Sequence, residues 1–294
     1  MNMFAGTHTA IVTPFRGGKI DEAALRRLID LQIKGGVDGI VPVGTTGESP
    51  TLDYDEHVRV IELSIRFARG KVKVMAGTGA NSTKEAVYLT QKAEAAGADG
   101  SLQVAPYYNK PTPEGLFQHF KAVADATRLP IVLYSVPGRC GVEIAVDTVK
   151  RLAAACKNIV GIKEAGGNAD RVSALRAVMG PKFTILSGDD SLTLPFMAVG
   201  AHGVVSVASN VIPKEVAQMV RAFAAGKADV ALKLHDRFYP LFKDLFIETN
   251  PIPVKAALAM MGVIEDELRL PMVPISARSR DVLRATLKSC GVLK

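Results

Sequence analysis

The sequence predicts an α/β fold, a parallel (β/α)8 TIM barrel with a C-terminal helical appendage. Three observations carry that expectation. Apolar runs rich in Val, Ile or Leu, each ending in Gly, Pro, Ser, Asn or Asp, recur at intervals of roughly 20–35 residues, about the length of a βα unit. Amphipathic stretches of helical period lie between them. The rival, a doubly wound open sheet, usually carries a Gly-rich phosphate fingerprint after its first strand, and TPFRGGKI (13–20) is not one.

The first run is THTAIVTPF (7–15). EAALRRLIDLQIKGG (22–36) follows, with Leu25, Leu28, Ile29 and Ile33 on one helical face and Gly35–Gly36 as its stop. DGIVPVG (38–44) and VKVMAGTG (72–79) are the next two runs. STKEAVYLTQKAEAAG (82–97) opens with Ser82 and carries Glu85 three residues on, the spacing of a capping box. DGSLQVAPYY (99–108) precedes TPEGLFQHFKAVADAT (112–127), which has a proline near its first turn. LPIVLYSVP (129–137), NIVGIKEA (158–165), FTILSGDD (183–190) and GVVSVASN (203–210) complete the eight, and PKEVAQMVRAFAAG (213–226) repeats the proline start. The pattern then changes to ADVALKLHDRFYPLFKDLF, a proline-broken ETNPIPVK, KAALAMMG and a basic helix from Ser279. The expected division is a barrel over 1–225 and a helical domain over 226–294 suited to assembly.

The 294 residues, 48% hydrophobic and 22% charged, suit a soluble chain with a sizeable core. No apolar run reaches the ~18 residues of a membrane span, and MNMFAGTHTAIVTPF has no basic n-region, so no signal peptide is expected. Cys140, Cys156 and Cys290 show no disulfide or zinc spacing, which fits a reducing cytoplasm. The net charge of +7 is scattered, Trp is absent, and no nucleic-acid motif is present. His8, His57, His119, His202 and His235 form no metal-binding pair, so no metal is expected. GxSxG is also absent.

Barrel chemistry gathers where strands end. The second run ends in GTTGES (44–49), whose glycines, hydroxyls and free amides suit an anion, phosphate or carboxylate. A plain tight turn explains it too. Pro106-Tyr107-Tyr108-Asn109 and Tyr134 offer phenols, and Arg139 follows the fifth run. Each alone also suits an ordinary rim residue. Asp189-Asp190 in SGDDS reads most simply as a helix N-cap with dipole-matching acids. The sharpest feature is Lys163 in IVGIKEA. One reading is an ion pair with Glu164 at the strand end. The other is a lysine turned into the barrel, its pKa lowered about 3 units by desolvation and its neutral amine ready for imine chemistry. Alternation along the strand turns Glu164 the opposite way, which favours the second.

Together GTTGES, PYYNKP, LYSVPGR, GIKEA, LSGDD, HGVVSVASN and NPIPVK resemble the dihydrodipicolinate synthase family, within the pyruvate-dependent lysine aldolases, over essentially the whole chain. The resemblance implies a lyase without cofactor that condenses pyruvate with L-aspartate 4-semialdehyde in lysine (diaminopimelate) biosynthesis. Lys163 would form the imine. Tyr134 would be the acid/base, and Thr45 and Tyr108 a proton relay, Tyr108 from a neighbouring subunit. Thr46 would hold the pyruvate carboxylate and Arg139 that of the semialdehyde; Gly188 and Val205 would line the pocket through their backbone. It implies a cytoplasmic homotetramer, a dimer of dimers. Ser49, His57, Asn81, Glu85 and Tyr107 match a feedback site for L-lysine, altered here by Tyr54 and Pro50. Cys140 stands where many relatives have threonine. Rivals are a sibling aldolase, such as N-acetylneuraminate lyase or a keto-deoxy sugar acid aldolase, and a non-catalytic barrel paralogue. The arginine of VPGR and the second threonine of GTTGE argue against the sugar lyases; the intact lysine and tyrosines argue against the paralogue.

Overall fold

In the computed structural model, which describes residues 2–293, eight parallel strands close into a barrel. They are β1 (Gly6–Ala10), β2 (Gly39–Val41), β3 (Lys73–Gly77), β4 (Gly100–Val104), β5 (Ile131–Ser135), β6 (Ile159–Glu164), β7 (Thr184–Ser187) and β8 (Gly203–Ser206). Each pairs with its sequence neighbours, and β1 closes on β8, with Gly6 opposite Gly203 and Thr9 opposite Ser206. The closure demands glycine at 203: φ is +145°, and a Cβ there would lie 1.9 Å from the Gly6 carbonyl oxygen.

The helices after successive strands are α1 (Glu22–Gly35), α2 (Tyr54–Ala68), α3 (Thr83–Ala96), α4 (Pro113–Asp125), α5 (Val146–Ala155), α6 (Ala169–Met179), α7 (Thr193–Ala198) and α8 (Pro213–Ala224). In α1, Leu25, Leu28 and Ile29 are buried, Ile33 is partly so, and Gly36 ends the helix in the left-handed conformation. Three more follow: α9 (Ala228–Asp244), α10 (Ile252–Met260) and α11 (Ala277–Ser289). They pack Phe238, Leu241, Val254, Leu258, Leu283 and Leu287 into the same core as α1, α2 and α8. No helix among the described residues is long and apolar enough to cross a membrane.

Two details correct the sequence reading, and a third adds to it. Ser82 does precede α3, but its side chain makes no capping bond; the Glu85 charge lies near Tyr107. The capping box forms at α2 instead, where Asp53 accepts from Glu56 N at 2.8 Å and Glu56 reaches back to Asp53 N. Asp189 and Asp190 cap no helix, since α7 begins only at Thr193. Asp189 accepts from Ser191 N, and the buried Asp190 takes the Ser206 hydroxyl and the backbone N–H groups of Val207 and Ala208. Those three donors, presented where β8 ends, hold the carboxylate more strongly than a distant helix terminus. Finally, TPFRGGKI folds as a small antiparallel ribbon, Phe15–Arg16 against Lys19–Ile20.

Candidate active site at the strand ends

Period-2 alternation sorts the end of β6. Lys163 turns into the barrel, 6% exposed, while Glu164 turns outward to the helix layer, where Arg171 of α6 donates to it at 2.8 Å. No ion pair among the described residues involves Lys163; the adjacent carboxylate is taken by Arg171. Burial therefore acts on an unpaired ammonium and brings its pKa down to about 7, opposed by the charge of Asp190 and aided by that of Arg139. Against an ordinary value of 10.5, this favours the neutral amine by about 4–5 kcal/mol.

Tyr134 of β5 is the strand neighbour of Lys163, and the Lys163 Nζ lies 4.0 Å from the centre of its ring. Burial pushes the Tyr134 phenol up to about 12, with Arg139 and the Thr45 hydroxyl pulling the other way. The phenol thus keeps its proton near neutral pH, beside an amine that can shed one. Thr45 and Thr46 lie in the turn after β2, which leaves the strand through Val43 in the left-handed region (φ +51°), a strained place for a β-branched residue. Gly188 packs onto the lysine stem: a Cβ there would sit 3.0 Å from Lys163 Cε and 2.6 Å from Ala165 Cβ.

Lys163, Tyr134, Thr45, Thr46, Arg139 and Gly188 share the wall of one cavity of about 140 Å³. Arg139, exposed on the short helix Pro137–Cys140, sits at its rim and donates to the Asn250 carbonyl at 3.3 Å. Val207 lines the cavity, whereas Val205 is fully buried deeper in β8. Tyr108 is not brought in: it stands on the rim loop at φ +73°, 89% exposed. A second cavity, about 170 Å³, shares Thr45, Tyr134 and Arg139 with the first and extends to Ser49 and Tyr107. Asn81 donates to the Tyr107 carbonyl at 3.3 Å, and the Glu85 charge lies near the Tyr107 phenol. His57 is buried against the Gly77 carbonyl at 2.8 Å, and burial lowers its pKa. Burial also pushes the Cys140 thiol up to about 11, so it rests as an inert hydrogen-bond donor to Ala105.

Reading the sequence residue by residue missed Asn250 and Phe246, which reach the cavity from beyond the barrel. Asn250 Nδ2 donates to Thr46 Oγ1 at 2.9 Å, and Asn250 Oδ1 is buried without a partner. NPIPVK was a signal, but its place in space depended on how the C-terminal helices fold back.

The family model described as "Dihydrodipicolinate synthetase family" matches residues 3–290. Among curated relatives, the 4-hydroxy-tetrahydrodipicolinate synthase of Pelobacter propionicus is 53% identical over 291 residues, 99% of this chain and all of the relative. The solved 4-hydroxy-tetrahydrodipicolinate synthase of Methylacidiphilum fumariolicum SolV superposes with a TM-score of 0.97 at 56% identity, covering 98% of this chain and 96% of that one. Two further structures carry ligands. Dihydrodipicolinate synthase of Acinetobacter baumannii, complexed with pyruvate, gives a TM-score of 0.96 at 45% identity over 99% and 100% of the two chains. The enzyme of Cyanidioschyzon merolae, with lysine bound, gives 0.97 at 41% identity over all of both.

Proposed function

The chain belongs to the dihydrodipicolinate synthetase family, and from that premise we propose how its own residues carry out the reaction. It is a 4-hydroxy-tetrahydrodipicolinate synthase, condensing pyruvate with L-aspartate 4-semialdehyde. The observation that carries the reading is Lys163: buried, unpaired, and 4.0 Å from the ring of a tyrosine that holds its proton. The pyruvate complex of the Acinetobacter baumannii relative supports the choice of keto acid.

The neutral Nζ attacks the pyruvate ketone carbon, and the carbonyl π pair moves to oxygen. Tyr134 gives that oxygen its proton, takes one from the nitrogen and passes it to the same oxygen, which leaves as water; the protonated imine and the Tyr134 phenolate remain. The phenolate takes a methyl proton to give the enamine, whose carbon attacks the aldehyde of the second substrate, and the alkoxide so formed takes that proton from Tyr134. The substrate's own amine then attacks the imine carbon, closes the ring and returns Lys163. Thr45 passes protons between Tyr134 and the rim, and Tyr108 completes the relay from a neighbouring subunit of a homotetramer. Thr46 holds the pyruvate carboxylate and Arg139, at the rim, that of the semialdehyde. The chemistry needs no cofactor, because the imine is the electron sink.

Ser49, Asn81, Glu85 and Tyr107, gathered at the second cavity and its edge, are the proposed L-lysine site; the lysine-bound relative supports it. His57, tied to Gly77, takes part only through its packing. The expected assay result is turnover on pyruvate plus aspartate semialdehyde. A higher specificity constant for cleavage of sialic acid would move the chain to the sibling aldolases.

A further inference from the structure

The turn that presents Thr45 and Thr46 is gripped by residues from outside the barrel. Glu48, at its end, is 3% exposed and left-handed at φ +56°. Its Oε1 accepts from Lys255 Nζ at 2.5 Å and its Oε2 from Arg269 N at 3.0 Å. Lys255, on α10, is wholly buried; it also donates to the Thr13 carbonyl at 3.0 Å and lies 4.3 Å from the centre of the Phe15 ring. Thr13 in turn donates its hydroxyl to the Gly47 carbonyl at 2.7 Å. Five residues before Lys255, Asn250 donates to Thr46 Oγ1.

Stability alone accounts poorly for such a pair. Taking two charges out of water costs several kcal/mol each, and apolar side chains of the same volume often serve a fold as well. What apolar packing cannot supply is direction. Both oxygens of Glu48 are fixed by donors on separate C-terminal segments, which sets the turn's conformation. Thr46 has one hydroxyl proton; with Asn250 as donor to its oxygen, that proton is free to point into the cavity. We propose that Lys255, acting through Glu48, and Asn250, acting through Thr46, are positioning residues that hold the anion nest in its pyruvate-binding shape. The proposal rests on the reading of Thr46 as the carboxylate holder.

The test uses the full-length enzyme. E48Q/K255M removes both charges together, so no unpaired buried ion remains; N250A removes the donor to Thr46 and carries the test should the double variant not fold. Both are expected to raise the pyruvate KM about tenfold, the scale of one well-placed hydrogen bond, with kcat at saturating pyruvate and the semialdehyde KM within about threefold of the parent. Borohydride trapping of the imine should shift to higher pyruvate concentration in step. T46V separates the two claims. Raised pyruvate KM in T46V with parental values in N250A and any folded double variant would overturn the positioning role. A parental KM in T46V would overturn the reading of Thr46 and the proposal with it. Equal loss of affinity for both substrates would show mere loosening and also overturn it.

Discussion

Lys163 is costly to the fold at neutral pH, and the sign of that cost is open to measurement. Its folded pKa lies below its unfolded one, so between about 7 and 10.5 the unfolded chain binds more protons and stability rises with pH across that window. Below about 7 both states are protonated and the full penalty, about 4–5 kcal/mol, is present. Lys163→Met should therefore be more stable than the parent by a few kcal/mol at pH 7 in denaturant titration, and the gap should close above pH 10. A gap that does not vary with pH would contradict an unpaired buried ammonium. In the parent, kcat/KM for pyruvate should rise with pH through about 7 as the amine loses its proton. Tyr134→Phe keeps the ring beside the amine but not the proton, and should lower kcat by roughly 10²–10⁴. Arg139→Ala should still form the imine and lose most turnover; equal loss of both steps would mean its role is misassigned. Lys163 was legible because an ammonium in an apolar strand needs a reason. Lys255 sends the same signal from PVKAALAMM, but a helix ordinarily has one wet face, so a single lysine there attracts no notice.

At the scale of elements, the strands were legible because burial on both faces leaves continuous apolar runs in the residues themselves. Caps were not. Ser82-x-x-Glu85 and Asp53-x-x-Glu56 carry the same spacing, yet only the second closes; the Glu85 charge acts on Tyr107 instead. Asp53→Ala should accordingly cost about 1 kcal/mol in thermal unfolding. Ser82→Ala should cost a few tenths at most, because it has no capping bond to lose. Gly203→Ala tests the closure of β1 on β8. With no space for a Cβ against the Gly6 carbonyl, that variant should lose cooperative unfolding by circular dichroism, whereas a silent substitution would refute the tight closure.

For the whole molecule, assembly is the part that residue patterns reveal least. Tyr108 stands 89% exposed in a left-handed conformation unfavourable for tyrosine, away from the cavity that its proposed role requires. The proposed completion of the site by a second copy would reconcile those facts. Chains carrying Lys163→Ala and Tyr108→Phe, each feeble alone, should regain activity when unfolded and refolded together, because a hybrid pair contains one intact site. No gain on mixing would place Tyr108 outside the relay. The C-terminal helices were legible as an appendage, but their reach back to Thr46 and Glu48 is a property of the closed molecule, set by packing against α1, α2 and α8.

The proposed reaction depends on Lys163 being a nucleophile and not a packed cation. The most direct measurement is intact and peptide mass spectrometry of the protein treated with pyruvate and borohydride. One reduced pyruvate adduct per chain, located on Lys163 and absent from Lys163→Ala, is the expected result. An unmodified chain, or an adduct spread over surface lysines, would contradict it.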